Sequence, residues 1–356
     1  METSNLSEAA DPQAPTLAEL IPRIVAGQRL TVEEAEIAFT TVMEGRATPV
    51  QMAALLVGLR ATGELPEHVA GGVRALRSAM IPVPSPEGWT IIDTCGTGGG
   101  TFTTFNISTA AALVAAGAGA RIAKHGNRSF TSRSGSADVL AALGVTIELT
   151  PEQMAQVLEH AGIVFMFAPL LHPAMKHVAP VRRELAMPTL MNVLGPLTNP
   201  AGARRQVVGV SSPALLELIA GGLARLGHEH ALVVHGEPGM DEFSPIGIST
   251  VIELREGMLH RYTFDPREHF DTSEHGIDEL RGGDPDHNAD VILRILRGEV
   301  AGAARLAVVL NAGAALYVSG IAQSILHGCE LAERAIDDRS ALAALDRLKA
   351  ATATEL

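Results

Sequence analysis

Aromatic side chains are scarce, at 3% of the chain. Ala, Val, Leu and Ile must therefore fill the interior, and the abundance of Ala and Leu favours helices. Cysteine is scarcer still: Cys95 and Cys329 are the whole supply. Two cysteines make neither a disulfide framework nor a zinc signature, and both are expected as free thiols in a reducing compartment. Positive charge is in deficit, with 27 Lys and Arg against 40 Asp and Glu and a formal charge of −13. That balance gives no general attraction for nucleic acid or anionic lipid. An anionic ligand would need a local cluster of cations, which acts alone because distant charge is screened beyond about 8 Å at physiological salt. No run of about 18 apolar residues is free of polar breaks, which argues against a membrane span. Residues 1–15 are polar and acidic, without an apolar h-region, so they read as a floppy leader and not as a signal peptide. The expectation is a soluble cytoplasmic protein that binds neither membrane nor nucleic acid.

Hydrophobic residues make up 47% of 356 residues, enough for a sizeable core and too much chain for one small domain. Residues 16–80 predict four short helices. Thr31 with Glu34 forms a capping box, and Thr48, Pro49 and Gln51 give a cap, a proline at the first helical position and a box partner. Gly45 and Gly63 mark helix ends, and Pro66 opens a helix to about Met80. Four helices alone bury little, so this small domain is also expected to supply a dimer surface. Residues 81–90 (IPVPSPEGWT) read as a linker or hinge. From 91 to 350 strands alternate with helices: strands at 90–93, 120–124, 163–167, 206–210, 231–235 and 251–254, with helices at 106–117, 136–143 and 151–160 and again over 287–350. The fold class expected is α/β: a small helical N-terminal domain plus a larger domain with a mostly parallel sheet flanked by helices. Some C-terminal helices are expected to pack on the helical domain.

Chemistry concentrates between Asp93 and Asp138. Gly96, Thr97, Gly98, Gly99, Gly100 and Thr101 follow a strand and precede a helix. Glycines let backbone N–H groups approach an anion, and the helix beginning near Asn106 points its positive end at the same place. Asn106, Ser108 and Thr109 lie in its first turn with donors to spare. The spacing is neither a P-loop nor a dinucleotide fingerprint, and glycine content alone fits a tight turn equally well. Lys124, His125, Gly126, Asn127 and Arg128 follow the next strand, at the same sheet edge. Ser129, Thr131, Ser132, Arg133, Ser134 and Ser136 come within eight residues. A solvated polar loop seldom gathers so many donors beside a glycine-rich turn; the set suits phosphates and sugar hydroxyls.

The segments DTCGTGGGTFTTFNIST, KHGNRSFTSRSGSADVLAALG, NVLGPLTNPA and GMDE, in that order, resemble anthranilate phosphoribosyltransferases, and the resemblance runs from about residue 17 to 345. It implies a homodimer through the helical part and transfer of phosphoribose from phosphoribosyl diphosphate (PRPP) to anthranilate in tryptophan biosynthesis. By position, Gly96, Thr97, Gly98, Gly99, Thr104, Asn106, Ser108, Thr109, Lys124, Asn127 and Ser136 would hold PRPP. Gly96, Asn127, His172 and Arg182 would meet anthranilate, with His125 and Pro169 as weaker candidates. Ser108, Asp241 and Glu242 would hold magnesium, two ions per subunit. Neighbouring side chains diverge in extended chain, so Asp241 and Glu242 can serve two ions or bridge them. The family usually has Asp where this chain has Gly100, which removes a carboxylate beside the diphosphate. Met187, Pro188 and Met191 are not strong family positions. Asn192–Ala201 reads as a loop, either an acceptor wall or a plain connection, and Arg183 as a surface residue.

No acid or base is assigned. The amine of anthranilate is already neutral near pH 7, so catalysis is expected from stabilising the leaving diphosphate and from holding two substrates in line, helped by closure between the domains. A pyrimidine nucleoside phosphorylase is the first rival; KHGNR, GPLTNPA and Arg182 argue against it. A non-catalytic nucleic-acid-binding relative is the second, and the charge of −13 opposes it.

Overall fold

The computed structural model describes residues 14–100, 102–129, 133–274 and 276–353. Residues 1–13 of the expected leader, together with Thr101, Thr131 and Ser132, lie outside the described residues.

Helices α1 (Leu17–Val25), α2 (Val32–Met43), α3 (Pro49–Thr62) and α4 (Pro66–Ala79) form the N-terminal layer. Their ends follow local chemistry. The Thr31 hydroxyl accepts from the Glu34 N–H at 3.2 Å while Glu34 accepts from the Thr31 N–H at 3.0 Å. Thr48 and Gln51 repeat the exchange, and Gly63 at φ +100° releases the chain from α3. α2 and α4 approach so closely that a Cβ on Gly71 would stand 2.5 Å from the Val32 carbonyl oxygen. Residues 81–90 contain no helix or strand. They are nonetheless fixed: the Ile81 N–H donates to Leu171 O at 2.8 Å and the Val83 N–H to Pro200 O at 3.0 Å. A hinge there would have to break both bonds.

Next come β1 (Ile91–Gly96), α5 (Ile107–Gly117), β2 (Arg121–Gly126), α6 (Ser136–Ala142), α7 (Pro151–Ala161) and β3 (Ile163–Phe167). The segment between β3 and β4 (Arg205–Gly209) holds α8 (Ala168–Leu171), α9 (Met175–Leu185) and α10 (Met191–Leu194). So the loop expected at 192–201 starts as helix and then makes a 3₁₀ turn at Gly195–Leu197. α11 (Leu215–Arg225), β5 (His230–Gly236), β6 (Ser249–Arg255) and β7 (Met258–Phe264) complete the sheet. β7 was not anticipated. It is an edge strand exposed along most of its length, and its sequence has neither an apolar run nor clean alternation. α12 (Pro285–Leu296), α13 (Gly302–Ser319), α14 (Ile325–Asp337) and α15 (Ser340–Ala353) close the chain. α13 is long and apolar enough to cross a membrane, but it is buried inside the fold.

The sheet order is β3-β2-β1-β4-β5-β6-β7. The first five strands are parallel and the last two antiparallel. The chain therefore winds outward in both directions from β1 and β4, and the crevice at the carboxyl ends of those two strands is where such sheets bind ligands. Alternate residues feed two cores. Val207, Leu232, Val234 and Val251 join the core built on α5 and α12–α15. Val208, Val210, Ala231, Val233, Ile252 and Leu254 join α1–α4, α9, α10 and α11 in the other. The buried apolar residues of α12–α15 all belong to the first core, so the C-terminal helices do not cover the helical layer as expected; the sheet face and α5 offer them more apolar surface.

Gly71→Ala is expected to lower stability by roughly 1–3 kcal/mol, because the methyl meets α2 backbone that cannot turn aside. Urea unfolding would measure it, and an unchanged midpoint would show that α2 and α4 have room to separate.

Candidate active site

β1 and β4 end on paired glycines, Gly96 opposite Gly209. At Gly209 a side chain would meet backbone, and at Gly96 it would displace the Asp241 carboxylate. A Cβ on Gly96 would lie 2.5 Å from Asp241 Oδ2, and one on Gly209 would lie 1.6 Å from the Asp241 carbonyl oxygen. The missing side chains let the chain after β5 cross over the ends of β1 and β4 and deliver Asp241 and Glu242 to the crevice. Beyond Gly96 the backbone turns through Gly98 and Gly99, at φ +64° and +77°, and the Gly98 N–H donates to Asp241 Oδ2 at 3.0 Å. Thr97 ties the turn to β4: its N–H donates to Gly209 O, and its hydroxyl accepts from the Ser211 N–H.

Thr94, Cys95, Ser108, Asp241, Glu242 and Asn311 line one small cavity at this edge. The three residues expected to hold metal are thus brought together. Burial raises the pKa of Asp241. Burial, and then Asp241, push Glu242 well above the usual range. Lys124 and the nearby Thr104 side chain pull the other way, while the Glu242 Oε2 has no partner among the described residues. Two adjacent buried carboxylates with an idle oxygen are a poor arrangement for a protein alone and a good one for a cation. Among the described residues no three acidic, His or Cys side chains form a cage. Magnesium commonly binds through one or two carboxylates and completes its shell with water and substrate phosphate, a demand that the Asp241 and Glu242 pair can meet.

Lys124 is buried beside them. Its Nζ donates to the Thr94 carbonyl and to Ser108 Oγ, the latter at 3.3 Å, and burial lowers its pKa. Behind it Asp93, with no exposure, accepts from the His125 N–H at 3.2 Å and from Asn199 Nδ2 at 2.8 Å. Burial pushes the Asp93 carboxyl up to about 6, against the pull of Lys124 and those donors. Asn199 also donates to Ala123 O and accepts from the Ala201 N–H. The segment at 195–201 is therefore stitched to β1 and β2, and is more than a passive connection.

Other expected residues fall differently. Asn106 has little to spare: Nδ2 donates to Ser134 O, and Oδ1 accepts from Ser134 Oγ and Asn288 Nδ2. Thr109, one helical step past Ser108, faces a second hollow lined by Leu113, Leu140 and Phe165 and by Lys124, and its hydroxyl has no partner among the described residues. Asn127 and Ser136 close the second loop on themselves, Ser136 Oγ donating to Asn127 O at 3.3 Å. That loop is organised by Asp138, which accepts from the Ser129 and Gly135 N–H groups and pairs with Arg128 at 2.9 Å. Arg133 is exposed. A Cβ on Gly100 would stand 2.9 Å from Gly239 O and 3.8 Å from Asp241 Oδ1; the glycine lets the 239–241 chain come close.

His172 and His125 meet at 3.1 Å between their Nε2 atoms. Burial lowers their pKa values to about 4 and about 3, with His172 also depressing His125. Both are therefore neutral at pH 7. Arg182 is half-buried in the last turn of α9, with its pKa lowered by burial. It makes no ion pair or hydrogen bond to the other expected residues among those described, whereas Arg183 and Met187 are exposed.

Sequence reasoning gave no role to Asp93, Asn199, Asp138 or Asn311. Asp93 carried a signal: a carboxylate inside an apolar strand must have partners. The others depend on tertiary contacts. Asn199→Ala is expected to cost about 1–3 kcal/mol by leaving Asp93 short of a donor. Asp93 is raised in the fold, so its neutral form is favoured at low pH and the penalty of its ionised form appears as pH rises through about 6. Removing a donor worsens the ionised form most, so the loss should be larger at pH 8 than at pH 5. Denaturant curves at both would check it; equal losses would show that Asp93 does not depend on Asn199.

Known proteins share the sequence and the fold of this chain. Residues 88–342 match the α/β domain of the glycosyl transferase family, and residues 18–80 match its helical bundle domain. The chain is 53% identical over 331 residues to the anthranilate phosphoribosyltransferase of Rubrobacter xylanophilus, covering 93% of this chain and 96% of that one. The Thermus thermophilus enzyme of that name superposes with a TM-score of 0.88 at 42% identity, over 94% of this chain and 99% of the other. The Saccharomyces cerevisiae enzyme, solved in complex with PRPP and Mg, gives 0.84 at 26% identity, over 94% and 97%. The same yeast enzyme has been solved with 4-fluoroanthranilate. This chain belongs to the anthranilate phosphoribosyltransferase family.

Proposed function

We propose that the chain transfers the 5-phosphoribosyl group of PRPP to the amine of anthranilate, releasing diphosphate, in a magnesium-dependent step of tryptophan biosynthesis. One observation carries this reading: the buried pair Asp241 and Glu242 shares a cavity with Ser108 at the end of the glycine-rich turn, with Lys124 bonded to Ser108. A polyanion and a divalent cation would be held together there. The bond from the anomeric carbon to diphosphate breaks, the amine lone pair forms the new bond, and the nitrogen gives up one proton. Gly96, Thr97, Gly98 and Gly99 would wrap the diphosphate, with the Thr97 N–H staying on the Gly209 carbonyl, and Lys124 would hold a phosphate oxygen. Magnesium, when bound, neutralises charge on the leaving group.

Asp241 turns to Gly98, while Glu242 keeps Oε2 without a partner among the described residues; neighbouring carboxylates that face different ways would serve two ions per subunit. Gly98 N–H would have to exchange its carboxylate partner for phosphate. The neutral pair His125 and His172 suits a wall for a flat aromatic acid, and Arg182, half-buried with no counter-charge among the described residues, suits the acceptor's carboxylate. Asn127 would lie between sugar and acceptor. Val25, Val50 and Val57 are exposed on α1 and α3, which supports pairing of the helical layer with a second copy. Cys95 and Cys329 as free thiols support a reducing, cytoplasmic setting.

Anthranilate fluorescence should fall with PRPP and magnesium, and chelation should stop it; thymidine with phosphate should not turn over. No loss of fluorescence by folded protein would refute the assignment. Arg182→Ala should raise the anthranilate KM by about 10- to 100-fold, the worth of a charge-assisted bond, with a smaller effect on the PRPP KM. Equal effects would remove Arg182 from the acceptor site.

A further inference from the structure

α13 is an apolar helix with one polar side chain buried in its middle. Asn311 is 5% exposed, between the fully buried Leu310 and Ala312. Asparagine is a poor helix former, because its amide competes with the backbone, and leucine would fill the same space with less desolvation. The amide has specific partners instead. Oδ1 accepts from the Phe243 N–H at 3.0 Å, and Nδ2 donates to Phe243 O at 3.1 Å and to Ala307 O at 2.8 Å. The carboxamide thus pairs with both backbone groups of one residue, as a neighbouring strand would. Phe243 lies outside every strand, and its buried N–H and C=O would otherwise be left unsatisfied.

Phe243 directly follows Asp241 and Glu242. Upstream, the same chain is fixed by reciprocal bonds between Gly236 and Met240 at 3.0 and 2.7 Å and by its close crossing over Gly209. Downstream, the Ser244 N–H donates to Ser249 Oγ at 2.9 Å. Asn311 is the tie that reaches this chain from the far side of the cavity, and it lines that cavity with Ser108 and both carboxylates. We infer that Asn311 is a positioning residue for the carboxylate pair: by clamping Phe243 it fixes where Asp241 and Glu242 stand relative to Ser108, and so sets the affinity for a divalent cation bound with diphosphate. This rests on the reading of the pair as the cation site.

The test is calorimetric binding of Mn2+ with inorganic diphosphate, alongside kinetics with PRPP, anthranilate and magnesium. Asn311→Leu keeps the volume and removes all three bonds. Its Mn2+–diphosphate affinity should fall about 10- to 100-fold, as when a residue holding a metal ligand is lost. The half-saturating magnesium concentration should rise in step, while the anthranilate KM stays within about twofold and excess magnesium restores most of kcat. Asn311→Thr, which keeps one hydroxyl for the Phe243 N–H, should fall between Leu and wild type. Folded Asn311→Leu with wild-type Mn2+–diphosphate affinity overturns the inference. So does a uniform loss in all parameters that magnesium does not cure, which is what a packing role alone would give. If Asn311→Leu does not fold, the same comparison on Asn311→Thr decides. Wild-type protein that binds no Mn2+ with diphosphate would instead overturn the underlying reading of the site.

Discussion

Burying carboxylates without enough counter-charge is the constraint on which this structure turns. Asp93, Asp241 and Glu242 are gathered at one sheet edge with a single buried ammonium, Lys124. Desolvation dominates all four, in the direction of neutralising each. Asp93 is settled within the protein: Lys124 supplies charge, and His125 and Asn199 supply hydrogen bonds. Asp241 and Glu242 are not so settled. One borrows a backbone N–H from the glycine turn, and the other leaves an oxygen idle. The imbalance lies at the switch point of the sheet, where a charged ligand can enter. What destabilises the protein alone is what a cation and a polyanion bound together would relieve.

Much of this architecture was legible in the chain. Capping boxes at Thr31 and Thr48 and the glycine at 63 are local devices, and local chemistry survives folding. The buried strands announce themselves as short apolar runs. The DTCGTGGG and KHGNR segments show their glycines and polar donors directly in the sequence, so the expectation of a phosphate site needs no tertiary information. β7 was invisible because an edge strand facing water needs no apolar pattern. The inward turn of Thr109 follows from a helical step that sequence spacing does not orient without a reference face. Asn311 and Asn199 could not be read, since an asparagine shows its partner only when the fold brings a backbone to it.

The glycines at 96, 100 and 209 show a second kind of information. Each is defined by what passes over it: the Asp241 side chain, the Gly239 carbonyl and the Asp241 backbone. At 100 the absent side chain leaves room for the Gly239 carbonyl, which would lie 2.9 Å from a Cβ there. The crossing chain is pinned on one side by absent side chains and on the other by the Asn311 amide.

The alternation along β4 and β5 has a consequence of its own. Successive residues of each strand belong to opposite cores, Val207 to one and Val208 to the other, Leu232 to one and Val233 to the other. Neither core can melt without stripping one face from the same strands. The helical layer and the C-terminal helices, though they meet different faces, are thereby joined in one cooperative transition, and the amides of β4 and β5 should be the last in the molecule to exchange with solvent.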